Sequence, residues 1–354
     1  MSRFQALPFP SRVLLTLLAA FATAELCVWL RTPLPWMIGP LLLTAAAGML
    51  GAPTAAWGPL RNGGHAVIGT ALGLFFTSQV AQLVAGHWGA ILLGIGWAFA
   101  LGACFNAWLL RVNRGHIAGL DARTSYCASA IGGAPEMTLL AEKIGGKVDL
   151  VASAHSLRVM LVVLAVPFAF QFAGVTGIDA SLPGPRTVEW GGLLGLLAIA
   201  GVAALALARL GLSNPWMMGP LLAAFGLTVT GHELSALPPQ LTNAAQLVIG
   251  VSLGARFTPD FVRHAPRWLG TVAAGTAAML VASAGFAWVL AGFTALHPAS
   301  VMLGTSPGGI SEMCITAKVL QLGVPVVTAF HVTRMVAVVL LAGPLYRWWY
   351  GSRG

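Results

Sequence analysis

Charge is what this sequence has least of. Only 8% of its 354 residues are charged, where soluble domains carry roughly 25%. A water-soluble chain of this length could not cover its surface with so few charges. A hydrophobic share of 57% and a mean hydropathy of +0.83 point the same way. The composition predicts an all-α integral membrane protein. Cysteine is scarce as well. Cys27, Cys104, Cys127 and Cys314 sit in apolar runs without a CxxC pair, which argues against a disulfide framework or a zinc site and reads as small buried hydrophobes. Clustered metal ligands are missing too: the eight histidines are scattered, and the Glu-x-x-His spacing of two-metal helix bundles is absent. No metal and no cofactor is expected.

Basic charge is in excess, with a formal net charge of +9 and a pI of about 10.3. In a soluble protein this balance would suggest nucleic acid. Here Lys and Arg fall in short loops between apolar runs, where they orient helices in a bilayer, so nucleic acid is not an expected partner. Residues 11–24, SRVLLTLLAAFATA, imitate a signal peptide but run straight on into further apolar segments. They read as an uncleaved first span.

The sequence also repeats itself. Pro35-Trp36-Met37-Ile38-Gly39-Pro40-Leu41-Leu42 returns as Pro215-Trp216-Met217-Met218-Gly219-Pro220-Leu221-Leu222. Gly69 and Gly73 return as Gly250 and Gly254. Gly132-Gly133 with Glu136-Met137 returns as Gly308-Gly309 with Glu312-Met313, and His155 and Arg158 return as His331 and Arg334. Four ordered blocks at one nearly constant offset divide the chain into a first membrane repeat, 1–180, and a second, 181–354.

Six apolar segments occur in each half. They run near 12–30, 36–50, 64–78, 88–110, 124–146 and 150–172, then near 189–209, 215–231, 243–257, 268–290, 301–320 and 326–346. The segments 64–78 and 243–257 are so short that their full crossing stays open. If all twelve crossed, nine loop basic residues would lie on one side and eight on the other. If the fifth segment of each half instead dips in and returns, fourteen gather on one side. Only Arg31, Arg186 and Lys318 remain opposite. The rule that basic loops stay cytoplasmic favours the second arrangement. Each repeat then has about five transmembrane helices plus one re-entrant helical hairpin, the second repeat is inverted, and both termini are cytoplasmic.

About ten residues flank each Gly-Gly on either side, enough to reach mid-bilayer and return. Broken helices that meet at the midplane from inverted repeats are the usual plan of secondary transporters. The helix after each Gly-Gly opens with free N–H groups suited to an anion. Glu136 and Glu312 sit in those first turns, either as caps or as proton- or cation-coupling groups. His155 with Arg158, and His331 with Arg334, share a helix face at i, i+3. These arginines either snorkel to the membrane edge or pair with a hairpin Glu or a substrate carboxylate. The candidate substrate- or ion-binding set is Gly132, Gly133, Glu136, His155, Arg158, Gly308, Gly309, Glu312, His331 and Arg334. The Pro-Trp-Met-x-Gly-Pro blocks and the GxxxG pairs read as helix starts and close packing.

Taken together, PWMIGPLL with PWMMGPLL, the paired Gly-Gly-x-x-Glu-Met and the following His-x-x-Arg resemble the AbrB membrane-protein family, whose members carry a duplicated region. The resemblance covers about residues 12–350 and implies a bacterial inner-membrane protein. Family members are labelled regulators of gene expression or ammonia monooxygenases. The family is also distantly similar to cation/proton antiporters and anion transporters, which use inverted five-helix repeats. The expectation is a non-enzymatic, ion-coupled transporter or exporter of a small anionic or zwitterionic solute. Its partners would be the bilayer, the solute and H⁺ or Na⁺, with homodimerisation open. A membrane regulator on a transporter scaffold is the alternative. A monooxygenase is the weakest reading, for want of clustered ligands.

Overall fold

A computed structural model describes residues 7–117, 120–177, 187–259 and 266–350. The repeat boundary expected at 180/181 and the basic residues Arg3, Arg186, Arg263 and Arg353 lie outside the described residues. Among the described residues the chain is helical and contains no strand.

The first half forms α1 (Phe9–Trp29), α2 (Pro35–Met49), α3 (Gly58–Gly73), α4 (Ser78–Gly86), α5 (Trp88–Asn113), α6 (Ala122–Ser129), α7 (Ala134–Ile144) and α8 (Val148–Phe172). The second half forms α9 (Trp190–Arg209), α10 (Pro215–Val229), α11 (Pro239–Gly254), α12 (Pro266–Phe293), α13 (Pro298–Thr305), α14 (Ile310–Val319) and α15 (Val324–Tyr350). Helices α1, α5, α8, α9, α12 and α15 are each long and apolar enough to cross a membrane. Their outer faces are greasy: Leu14, Leu18, Leu194, Val202, Val281 and Trp288 are all exposed. Apolar side chains on the surface of a chain this poor in charge make it a multi-pass membrane protein.

The remaining apolar helices are short. Helices α2 and α10 have 15 residues, and α3 and α11 have 16, or about 22–24 Å at 1.5 Å per residue. Helix α3 starts well before the segment expected at 64–78 and is followed by α4, turned from it by 85°. The sequence reading did not anticipate α4, whose stretch SQVAQLVAG is too polar and short to register as a span. Among the cysteines, Cys27, Cys127 and Cys314 are buried as expected, but Cys104 is exposed on α5. An outward-facing position on an apolar helix is as apolar in composition as a core position, so sequence does not separate the two.

Two compact units emerge, and each draws segments from both halves of the chain. The first contains residues 1–83, 167–263 and 319–325. Its helices are held by backbone-to-backbone approaches at glycine. Gly69 and Gly73 on α3 lie against the backbone of Met217 and Leu221 on α10, and Gly250 and Gly254 on α11 lie against Met37 and Leu41 on α2. Gly39 packs on the Thr23 backbone of α1, and Gly219 on the Ala203 backbone of α9. Small residues permit these approaches where lipid supplies no hydrophobic drive between helices. The two repeated blocks are thus complementary surfaces, each meeting the other's counterpart from the opposite half. Pro35 and Pro215 occupy the first helical position, behind N-caps Leu34 and Asn214 that both adopt φ of 48°.

The second unit contains residues 84–166, 264–318 and 326–354. It holds α5, α12, most of α8 and α15, and both broken segments. The fifth segment of each half is interrupted where the sequence places Gly-Gly: α6 stops at Ser129 and α7 starts at Ala134, while α13 stops at Thr305 and α14 starts at Ile310. Helices α6 and α7 turn back on each other. Arg123 Nη1 near the start of α6 donates to Ile144 O at the end of α7 at 3.0 Å, and Lys147 N donates to Thr124 Oγ1 at 2.9 Å. The chain leaves this hairpin where it entered.

Candidate functional site

Every break in a helix at depth exposes carbonyls at one end and N–H groups at the other. In the second unit each such end meets a charge of opposite sign.

The carbonyl ends belong to α6 and α13. Arg158 on α8 reaches the first, donating from Nη1 to Ala128 O at 3.3 Å and from Nη2 to Ala130 O at 2.7 Å. Arg334 on α15 reaches the second, donating from Nη1 to Ser306 O at 2.6 Å and from Nη2 to Gly308 O at 2.9 Å. Both arginines are buried, at 2% and 3% exposure, so neither snorkels to the membrane edge. A guanidinium fork suits two carbonyls at once, and its charge complements the negative end of a helix.

The histidines finish each clamp. Arg158 Nη2 lies 2.7 Å from His155 Nδ1, and His155 Nε2 lies 2.9 Å from Cys127 O. Arg334 Nη2 lies 2.7 Å from His331 Nδ1, and His331 Nε2 lies 2.9 Å from Leu303 O. An arginine only donates and a carbonyl only accepts, so the tautomer follows. Each ring accepts at Nδ1 and donates from Nε2–H, and is therefore neutral. The i, i+3 spacing that puts His and Arg on one face is what lets one reach the other.

The N–H ends belong to α7 and α14. Glu136 and Glu312 are the third residues of these helices, and each carboxylate folds back over the glycine preceding its helix. A Cβ placed on Gly133 would stand 2.6 Å from Glu136 Oε2, and one on Gly309 would collide with Glu312 Oε2. Each carboxylate oxygen therefore lies beside the glycine that precedes its helix. A side chain at either glycine would displace the carboxylate from this position. Gly132 and Gly133 have φ of 131° and 60°, a second reason for glycine. The two glutamates differ in surroundings: Glu312 is buried at 7% exposure, while Glu136 is half-buried.

The tips cross between halves. Gly308 faces Val162 of α8, with 3.0 Å from a hypothetical Cβ to Cγ1, and Gly132 faces Val338 of α15, at 3.7 Å to Cγ2. The ten residues singled out in the sequence thus all sit in one unit, around the two breaks. Sequence reasoning missed the backbone acceptors Cys127, Ala128, Ala130, Leu303, Ser306 and Gly308, which carry no residue-type signature. One signal was available: both His-to-carbonyl bonds span 28 residues, because each His-x-x-Arg follows its own Gly-Gly at a constant distance.

Known proteins resemble this chain over most of its length. One relative, "Uncharacterized protein YhjN" of Bacillus subtilis (strain 168), is 25% identical over 338 residues, covering 88% of this chain and 86% of its own. Another, "Putative regulator AbrB" of Escherichia coli (strain K12), is 26% identical over 316 residues, covering 88% of each. The family described as "Transition state regulatory protein AbrB" matches residues 36–350. From the repeated motifs through the paired broken helices to this near-complete match, the chain belongs to the AbrB family.

Proposed function

We propose that this protein is an ion-coupled secondary transporter or exporter, not an enzyme, for a small anionic or zwitterionic solute. It resides in the bacterial inner membrane with both termini cytoplasmic. Helices α2, α3, α10 and α11 cross despite their length, giving ten spans in two inverted sets of five, each with one re-entrant hairpin. The observation that carries the reading is the pairing of two opened helices in one unit. Their four ends carry two buried arginines and two glutamates, charges that an apolar chain does not retain at depth without use. The free side of each N-terminus is the natural seat for an anionic group, and the carboxylate over it is the natural seat for a proton or cation. Alternating access follows if the hairpin-bearing unit moves as one body.

Reconstitution tests this. Glu136→Gln and Glu312→Gln should abolish coupled solute movement in proteoliposomes and leave the thermal unfolding midpoint within a few degrees of the parent. Normal transport by both variants would place the site elsewhere.

A second reading rests on the name of the relative from Escherichia coli, "Putative regulator AbrB". In it the same scaffold serves gene regulation. A transport-dead Glu312→Gln chain that still alters gene expression in cells would favour it.

A further inference from the structure

The second unit contains a cavity of about 250 Å³ bounded by α5, α6 and α15. Its wall is apolar except for three side chains, Asn106, Tyr126 and Ser129. Two of these are satisfied within the protein: Tyr126 Oη donates to Ala342 O at 2.7 Å, and Ser129 Oγ donates to Tyr126 O at 2.9 Å. Asn106 is not. Its Nδ2 donates to Tyr350 Oη at 2.8 Å, while its Oδ1 is buried without a partner. Turning the amide over exchanges the two atoms and still leaves one orphan, since a tyrosine hydroxyl can donate or accept. Leaving a buried amide atom unpaired costs more than a made bond gains. The cavity therefore asks for a ligand with an apolar body and one hydrogen-bonding group.

The rim narrows the class. Trp348 and Trp349 both line the cavity and are exposed at 74% and 44%. Exposed Arg347 stands immediately before them on α15. The Asn106–Tyr350 bond brings the C-terminal ends of α5 and α15 to the same end of the unit. Exposed Arg111 and Arg114 lie there too, with Arg111 about 7.5 Å beyond Asn106 along α5. Tryptophan beside arginine marks the depth of the headgroups and ester bonds, and a cluster of cations there selects anionic lipid.

We propose that this cavity holds part of one acyl chain of an anionic phospholipid. With the amide turned over so that the Tyr350 hydroxyl donates to Asn106 Oδ1, Asn106 Nδ2 donates to a glycerol ester carbonyl, and the phosphate rests beside Arg347. The bound chain lies against Ala130 and Ile131, which also line the cavity, and Ala130 O is the carbonyl that Arg158 clamps. The lipid thereby buttresses the first helix break from behind. This site needs the membrane setting but not the transport reading, so each can fail without the other.

Native mass spectrometry of the detergent-purified, delipidated protein tests it, with dioleoyl phosphatidylglycerol and dioleoyl phosphatidylcholine as probes. The parent should retain one phosphatidylglycerol per chain in preference to phosphatidylcholine. Asn106→Leu should weaken both lipids by up to about tenfold, the worth of one hydrogen bond. Arg347→Gln should erase the preference and leave phosphatidylcholine binding unchanged. Ala103→Phe, which fills the cavity, should lose the retained lipid while unfolding at the parent's temperature without lipid. If Ala103→Phe does not fold, Asn106→Leu decides. Unchanged phosphatidylglycerol retention in a folded Ala103→Phe chain, or in Asn106→Leu, would overturn the proposal. So would full displacement of the lipid by soluble glycerol phosphate, which would leave only a headgroup site.

Discussion

Arg334 Nη2 stands 2.7 Å from His331 Nδ1, and the same distance separates Arg158 Nη2 from His155 Nδ1. In both halves of the chain a neutral histidine turns an arginine fork onto the carbonyls of a broken helix. The arrangement gives His-x-x-Arg a definite job: it ties the long helix after each broken segment, α8 or α15, to the helix that precedes the break, α6 or α13.

That job predicts poor tolerance of near-equivalents. His331→Leu removes two buried hydrogen bonds, one to Leu303 O and one to Arg334 Nη2, although Ser306 Oγ still donates to Leu303 O. It should lower stability by about 1–3 kcal/mol, the worth of two buried hydrogen bonds at roughly 0.5–1.5 kcal/mol each. Arg334→Lys should not rescue the site despite keeping the charge, because an ammonium cannot span two carbonyls and a ring nitrogen as a planar fork does. Thermal unfolding of the purified protein in detergent checks both. A Lys variant as stable as the parent would mean the fork geometry is immaterial.

The glycine seams of the first unit give a sharper contrast. A methyl at Gly250 would stand 2.5 Å from Met37 O and 3.2 Å from Pro40 Cβ, whereas one at Gly96 on α5 meets nothing within 4 Å. Gly250→Ala should cost about 1–3 kcal/mol by overpacking. Gly96→Ala should be neutral or stabilising by up to about 1 kcal/mol, since alanine is the better helix former. Equal unfolding temperatures for the two would remove the seam from the account.

The returning hairpin is testable by side-specific chemistry. Lys143 and Arg114 are both exposed. In a chain whose four native cysteines are replaced by alanine, Lys143→Cys and Arg114→Cys should react with a membrane-impermeant maleimide from the same face of oriented vesicles. Reaction from opposite faces would make α6 and α7 a single crossing.

Much of this molecule was legible beforehand. Long apolar runs located α1, α5, α8, α9, α12 and α15 to within a few residues, because uninterrupted hydropathy has little competing explanation. Gly132-Gly133 and Gly308-Gly309 marked the breaks, because paired glycines disfavour a continuous helix, and the first pair does hold positive φ. Arg158 and Arg334 were recognised as unusual, but not as carbonyl clamps. Their expected partners were carboxylates, and backbone acceptors leave no trace in residue type. Helix α4 was missed because nine residues of mixed polarity have no period to read. The exposure of Cys104 was missed because an outward-facing site and a core site select alike for apolar neighbours.

The glycine seams also bear on how the chain assembles. Gly69 of α3 closes on Met217 of α10, and Met37 of α2 is the floor beneath Gly250 of α11. During synthesis the first half emerges with its close-packing faces complete and nothing to receive them, because their counterparts are still unmade. Contacts so distant along the chain form late and slowly. The first half must therefore wait in the bilayer with bare glycine grooves until the second arrives. Two halves expressed as separate polypeptides should accordingly be stable only together.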